Sequence, residues 1–391
     1  MKELELYIHI PFCVRKCAYC DFLSASADAD TVQKYVEALI REIQGYTQYG
    51  IPFGDKKMYQ DYRVSTVFVG GGTPSLLFPD QIKAVFSALR KSFSVEEGAE
   101  ITLELNPGTV TKEKLLAWRE AGINRFSIGL QSTKDAELKM LGRIHDYRHF
   151  LHTWKLVRNA GIENVNVDLI SAIPGQTLES WRETLRKTAE LEPEHLSVYS
   201  LIIEEGTPFY ERYRAADAAF PPLPDEETER QMYEETEKIL QEYGYTRYEI
   251  SNYAKCGYEC RHNTGYWQRT QYLGLGLGAS SLIGNTRFRH ISALRAYLSQ
   301  SGDVRGICEE EEVLSQKEEM EEFMFLGLRM MRGVRKSEFG RLFGIGMGAV
   351  YAEPLKRMKE NGLLETEGDI VRLTKRGIDI SNYVFEQFLL D

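Results

Sequence analysis

Three of the chain's six cysteines lie within eight residues, in CVRKCAYC (13–20). The spacing C-x3-C-x2-C gathers Cys13, Cys17 and Cys20 on one compact loop, directly after the apolar run LYIHIPF. Three thiolates so placed suit a zinc site lacking its usual fourth ligand, three unrelated buried thiols, or a cubane 4Fe–4S cluster held at three of its irons. The last arrangement leaves one iron open, and an open coordination position is where a metal centre does chemistry. Cys256, Cys260 and His262 lie far along the chain and form a second candidate group.

A loop of this kind needs a rigid support. Apolar or alternating segments recur at 4–10, 64–70, 100–106, 123–130, 165–171 and 195–201. Helix-like stretches separate them, at 31–46, 79–93, 111–122, 147–161 and 178–192. Ala121-Gly122 and Ala160-Gly161 end two of those helices just before a strand, as a C-cap glycine does. Six strands alternating with helices predict parallel β/α units. Six units fall short of the eight of a closed barrel, so the expected α/β fold is a partial, open (β/α)6 barrel. The cysteine loop then sits at the C-terminal mouth of the first unit, where barrels of this type place their active sites.

Beyond residue 213 the pattern changes. AAFPPLPDEE (218–227) reads as a proline-rich loop and EETERQMYEETEKILQEYG (226–244) as a long helix. Irregular sequence rich in Tyr, Asn and Gly runs to about residue 290, and CEEEEVLSQKEEMEE (308–322) reads as an acidic linker running into a helix. The tail has the outline of a winged helix-turn-helix, with Lys356, Arg357 and Lys359 on its candidate recognition helix. Residues 316–391 nevertheless hold twelve Lys and Arg against thirteen Asp and Glu, which is not the footprint of a DNA-binding domain. The expected organisation is a barrel over 1–215, an extension over 216–305 packed on the barrel, and a winged-helix-like domain over 306–391.

The formal net charge of −10 disfavours a general nucleic-acid or anionic-membrane binder. No apolar run approaches the ~18 residues that span a bilayer. The start, MKELELYIHI, carries acidic residues within its apolar stretch and no small-residue cleavage site, so no signal peptide is expected. The cytoplasm is then the expected compartment, where thiols stay reduced and clustered cysteines point to metal.

The cysteine spacing, with Tyr19 before the last cysteine and a six-unit barrel, resembles the radical S-adenosylmethionine (SAM) superfamily. Within it, YIHIPFC, GGGTPS, LELNP, SIGLQS, DLISAIPGQT and HLSVYSL resemble the family of the oxygen-independent coproporphyrinogen III dehydrogenase, over nearly the whole chain. The resemblance implies a 4Fe–4S cluster on Cys13, Cys17 and Cys20, with SAM bound at the open iron. That cofactor carries the radical chemistry and the protein positions it. Gly71 and Gly72 would let the backbone approach the methionine end of SAM, and Thr73 would add a hydroxyl. Glu104 and Asp168, at strand ends, could accept from the ammonium or ribose hydroxyls; Gln131 and Arg143 are implied to line the same pocket, with Tyr7 and Tyr19 beside the cluster. His9 reads as structural, Thr177 as a helix cap, and Ala172 stands where the family usually has glycine.

Two departures select a branch. Phe22 stands where the dehydrogenase carries one more cysteine, and only six residues precede Tyr7 where that enzyme has a long segment. Both are similar to the HemW group, the heme chaperone branch. RHNTGYWQ (261–268) matches that branch's H-N-x-x-Y-W motif. The match implies heme contact, with His262 as candidate ligand and Tyr266 and Trp267 against the porphyrin edge; Cys256 and Cys260 read as simple buried residues, with thiolate ligation the alternative. Heme and acceptor hemoproteins are the implied partners, membrane-bound respiratory enzymes among them. A homodimer and peripheral membrane contact stay open, and nucleic acid is not implied. The alternative is a radical SAM enzyme: coproporphyrinogen oxidation, a methyl transfer or another radical reaction.

Overall fold

The computed structural model describes residues 2–52, 62–215 and 220–390. Six parallel strands form its centre: β1 (Lys2–Ile10), β2 (Tyr62–Gly71), β3 (Val95–Leu105), β4 (Arg125–Gln131), β5 (Val165–Ser171) and β6 (His195–Ser200). Helices α1 (Ala29–Tyr49), α2 (Pro79–Ser92), α3 (Lys112–Glu120), α4 (Asp135–Met140), α5 (Tyr147–Asn159), α6 (Leu178–Ala189) and α7 (Pro208–Arg214) lie between and after them. The strands stand in consecutive order, and among the described residues the sheet edges do not pair with one another. The architecture is therefore an open α/β partial barrel.

Side-chain alternation explains the two faces. Leu4, Leu6, Ile8 and Ile10 of β1 are buried against helices, as are Val67, Leu103, Ile128, Val167 and Leu196 of the next strands. Their sequence neighbours turn into the barrel, and most are polar: Glu5, Tyr7 and His9, Thr66, Glu100 and Glu104, Arg125 and Ser127, Asn166 and Asp168, His195 and Ser197. Local signals bound the helices. Asp28, Thr111, Asp146 and Thr177 each cap a helix by accepting the backbone N–H three positions on. Gly122 and Gly161 take positive φ just past α3 and α5, where a side chain would be strained.

The segment after the barrel does not form a separate layer. It contains α8 (Glu226–Glu242), β7 (Thr246–Glu249), β8 (Asn252–Ala254), α9 (Arg261–Trp267), β9 (Tyr272–Leu275), β10 (Ser280–Ile283), β11 (Thr286–His290) and α10 (Leu294–Gln300). β8 pairs antiparallel with β6, and β9 pairs parallel with β1, so the segment extends the sheet at both edges, and the strand that follows it brings the sheet to twelve. Much of the stretch read as irregular is thus short strand. The acidic linker is corrected too: Cys308–Val313 is the edge strand β12, paired with β11. Its glutamates hide the strand signal and suit an exposed edge, where charge blocks further pairing. The first residues of the proline-rich loop, and the segment beside the boundary expected at 215/216, lie outside the described residues.

A second unit follows: α11 (Gln316–Gly327), β13 (Val334–Arg335), α12 (Lys336–Phe343), α13 (Met347–Glu360), β14 (Leu364–Glu367), β15 (Ile370–Leu373), α14 (Lys375–Asp379) and α15 (Ser381–Glu386). The three strands form their own sheet, in the order β13-β15-β14. This is the winged-helix arrangement. Met324, Leu328, Phe339, Tyr351, Met358, Val371 and Phe388 build a hydrophobic core distinct from that of the barrel. Pro354 kinks α13, leaving Tyr351 outside helical geometry.

Candidate functional site

The cysteine loop leaves β1 at the barrel mouth and is tied down by backbone bonds. Cys13 N donates to Ala25 O, Ala18 N to Leu141 O, and Phe209 N to Ala18 O. Cys13, Cys17 and Cys20 are free thiols, each partly exposed. All three line one cleft of about 400 Å³ at the C-terminal ends of the strands. The remaining cysteines are elsewhere. Cys256 is exposed, while Cys260 is buried and donates to Glu100 Oε1 over 3.6 Å. Cys308 donates to Val304 O over 3.0 Å. Among the described residues no three His, Cys, Asp or Glu side chains converge as ligands of a single ion.

The same cleft collects Tyr19, Gly71, Gly72, Thr73, Glu104, Gln131, Arg143 and Asp168. Tyr7 is absent from its wall. Tyr7 sits one layer deeper, where its hydroxyl meets His9 Nδ1 at 3.0 Å. His9 Nε2 in turn donates to Leu23 O over 2.8 Å, so one ring nitrogen is held by Tyr7 and the other by the loop after the cysteines. The glycines have a packing reason of their own. Gly71 has φ +108, and a Cβ there would lie 2.5 Å from His9 Cε1. A Cβ on Gly72 would lie 2.7 Å from Phe12 O, so the turn packs tightly on the start of the cluster loop.

Electrostatics in the cleft favour a cationic guest with an anionic end. Burial and the neighbouring Asp168 push Glu104 up to about 8, only partly offset by the N–H of Gly71 donating to its Oε2 over 3.2 Å. Burial also raises Asp168, against the bonds from Asn166 and Ser127 that stabilise its charge. Both acids are thus short of countercharge, which an ammonium or sulfonium would supply. Arg143 is half-buried in the cleft wall and its buried Nε has no hydrogen-bond partner, so the guanidinium brings a positive charge that suits a carboxylate. SAM carries all of these groups, and three thiols beside them form a donor set for a cluster with one open iron. The residues fit both cofactors.

Sequence reasoning missed Asn106, Ser127 and Tyr199, which also line the cleft. Asn106 and Ser127 stand inside the quoted stretches LELNP and SIGLQS, so their strand position was the available signal. Exposed apolar side chains, Phe22 (63 %) and Ile202 (67 %), rim the opening.

His262 is placed differently from its expected role. It lies on α9 beneath the barrel, at the end opposite the cleft, and is 1 % exposed. Its Nδ1 meets Thr66 Oγ1 at 2.6 Å and its Nε2 meets Tyr266 Oη at 3.1 Å. Its ring stacks on Phe68, and burial, with Arg125 nearby, holds its pKa down to about 3. Glu100 accepts from the backbone N–H groups of Arg261 and His262, and Trp267 stacks with Arg329 of the C-terminal unit. The imidazole is a neutral, doubly bonded floor residue, and in this conformation it offers no free nitrogen to heme iron.

Comparison with known proteins agrees with this geometry. The profile of the radical SAM superfamily matches residues 7–188, and that of the HemN C-terminal domain matches 314–380. The chain is 35 % identical over 390 residues to a protein of Lactococcus lactis named heme chaperone HemW, covering 100 % of this chain and 98 % of the relative. HemW of Bacillus subtilis is 35 % identical, covering 98 % of each chain. HemW of Escherichia coli is 34 % identical, covering 100 % and 99 %. Among solved structures, the coproporphyrinogen III oxidase HemN of Escherichia coli, described as a radical SAM enzyme, superposes with a TM-score of 0.84 at 25 % identity, covering 99 % of this chain and 90 % of that one.

Proposed function

This chain belongs to the HemW family of the radical SAM superfamily, and we propose that it is a heme chaperone that binds heme and delivers it to acceptor hemoproteins. The observation that carries the reading is similarity to proteins of that name across both units of the chain, at 34–35 % identity. In this reading Cys13, Cys17 and Cys20 hold a 4Fe–4S cluster, and Tyr19, Gly71, Gly72, Thr73, Glu104, Gln131, Arg143 and Asp168 surround SAM. When bound, the cluster and SAM supply one-electron chemistry or a ligand-sensing centre. The chain's own residues would orient that pair: Glu104 and Asp168 would offer negative partners to its cationic groups, and Arg143 a positive one to its carboxylate.

A second reading, a radical SAM enzyme acting on a porphyrinogen, draws on the likeness to HemN. Phe22 argues against it, since the resemblance places an additional cysteine at that position in the oxidase. Membrane-bound acceptors, a homodimer and a cytoplasmic site of action complete the proposal. Heme contact through His262 would require α9 to withdraw from the barrel floor, breaking its bonds to Glu100 and Thr66.

One anaerobic sample tests the reading. The protein is reconstituted with iron and sulfide, titrated with heme, and mixed with an apo-hemoprotein. We expect a Soret band, transfer of heme, and no stoichiometric release of 5′-deoxyadenosine from SAM. Absence of heme binding, or repeated turnover of coproporphyrinogen to a vinyl product, would overturn it.

A further inference from the structure

Two side chains in the cleft wall donate toward the cysteine sulfurs. Thr73 Oγ1 donates to Cys13 Sγ over 3.4 Å, and Arg143 Nη1 donates to Cys17 Sγ over 3.7 Å. A single residue joins these donors. Asn106, just after β3, accepts from Arg143 Nη2 at Oδ1 (2.5 Å) and donates from Nδ2 to Thr73 Oγ1 (2.7 Å). The chemistry of its partners sets the amide's orientation: a guanidinium only donates, so the amide oxygen faces Arg143 and the NH2 faces Thr73. The Thr73 oxygen thereby receives a hydrogen, and its own hydroxyl hydrogen is directed to sulfur.

The joint is built rather than incidental. Asn106 N donates to Ser75 Oγ (3.1 Å), and Asn106 O accepts from Thr109 Oγ1 (2.7 Å), so its backbone is held on both sides. Pro107 follows and restricts it further. Gly129 opens the path for the guanidinium, since a Cβ there would lie 3.2 Å from Arg143 Nη2 and 3.3 Å from Asn106 Oδ1. Arg143 Nη2 also donates to Gly129 O over 3.0 Å.

We propose that Asn106 is a positioning residue for the iron–sulfur cluster, locking Thr73 and Arg143 as donors to two of the three ligating sulfurs and so setting the cluster's reduction potential. Reduction adds negative charge that spreads onto the sulfurs. Donors aimed at them stabilise the reduced form more than the oxidised form and raise the potential. The proposal rests on the assignment of Cys13, Cys17 and Cys20 as ligands, and it is independent of whether the chain carries heme.

The test is a potentiometric titration of the reconstituted full-length protein, followed by the electron paramagnetic resonance signal of the reduced cluster. Asn106→Asp keeps the size and the acceptor for Arg143 but cannot donate to Thr73, whose hydroxyl would turn to the new carboxylate. Thr73→Val removes the donor to Cys13 without changing charge, and Thr73→Ser restores it. Iron and sulfide content should match the wild type in every variant. Asn106→Asp and Thr73→Val should each disfavour reduction by about tenfold, which is ~59 mV for a one-electron couple, while Thr73→Ser stays at the wild-type midpoint. An unchanged midpoint in loaded Thr73→Val protein, or a fall that Thr73→Ser shares, overturns the proposal. Should Asn106→Asp not load, the comparison of Thr73→Val with Thr73→Ser decides alone. Failure of the wild type to take up a 4Fe–4S cluster would overturn the ligand assignment itself.

Discussion

Glu104 shows how much one buried side chain can determine. Its folded pKa of about 8 lies above the ordinary carboxylate value, so with no cation beside it Glu104 carries a proton through neutral pH. For a raised acid, the contribution to stability is full below the unfolded pKa of ~4.5 and is lost as pH rises toward about 8. The ligand-free protein should therefore lose stability over that window. Binding a cation there favours the carboxylate and expels the proton. SAM affinity should rise between pH 6 and 8, by up to about tenfold per unit, and level off above. Calorimetry in buffers of different ionisation enthalpy would read the released proton. Glu104→Gln should bind more weakly and show a flatter profile, and a pH-independent wild type would count against the assignment. At this scale the sequence was informative where a residue type is chemically distinctive: cysteines at a fixed spacing, acids at strand ends, Arg143. It was silent on depth. Tyr7 shares the inward face with His9 by the period of two, yet it lies one layer too deep to touch the cleft. Asn106 was overlooked because an uncharged amide after a strand looks the same whether it caps a turn or joins two donors. Ala172 has φ +58, a left-handed conformation that explains why glycine is usual there.

The six central strands and their helices were readable because period two and period 3.6 are both strong in them, and caps such as Thr177 mark their starts. The short strands between residues 246 and 313 were not, since three to six residues with little alternation carry a weak signal. The H-N-x-x-Y-W stretch was noticed as a motif, but its element was not foreseen. It forms α9, seven residues that close the floor of the barrel. Gly265 makes the closure possible: a Cβ there would lie 2.0 Å from Glu5 Oε1. Glu5 cannot simply move aside, because it is 2 % exposed and its surroundings push it up to about 9, chiefly through burial. Gly265→Ala should cost about 1–3 kcal/mol by overpacking. In a Glu5→Ala background the same change should cost much less, because the obstructing carboxyl is gone. Urea denaturation of the four proteins closes the cycle. An equal cost in both backgrounds would mean that α9 is not held by this packing.

At the scale of the molecule, two hydrophobic cores are joined by a polar seam. The barrel core and the core from Met324 to Phe388 do not merge. Between them, Glu322 of α11 accepts from Arg269, just beyond α9, over 2.9 Å, and from Arg287 of β11 over 2.6 Å. Arg269 also reaches Glu319 at 3.2 Å, and Arg329 lies over Trp267 and 3.6 Å from buried Glu249. The seam connects the winged-helix-like unit to the barrel floor, on the side away from the cysteine cleft, through the same segment that carries His262. The contacts of the C-terminal unit and those of α9 therefore meet in one seam. Glu322 is the centre of this seam because it is 6 % exposed and serves both arginines. Replacing it with alanine leaves Arg269 with Glu319 alone and Arg287 without its closest acid. Charged hydrogen bonds that are nearly buried contribute about 2 kcal/mol when lost on one side. That loss should fall on the joint rather than on either core. Calorimetry of Glu322→Ala should then show the C-terminal unit melting ahead of the barrel, with hydrogen exchange accelerated in α9 and α11 and unchanged in β2 to β5. A single transition at the wild-type temperature would show that apolar contact, not this seam, holds the two units together.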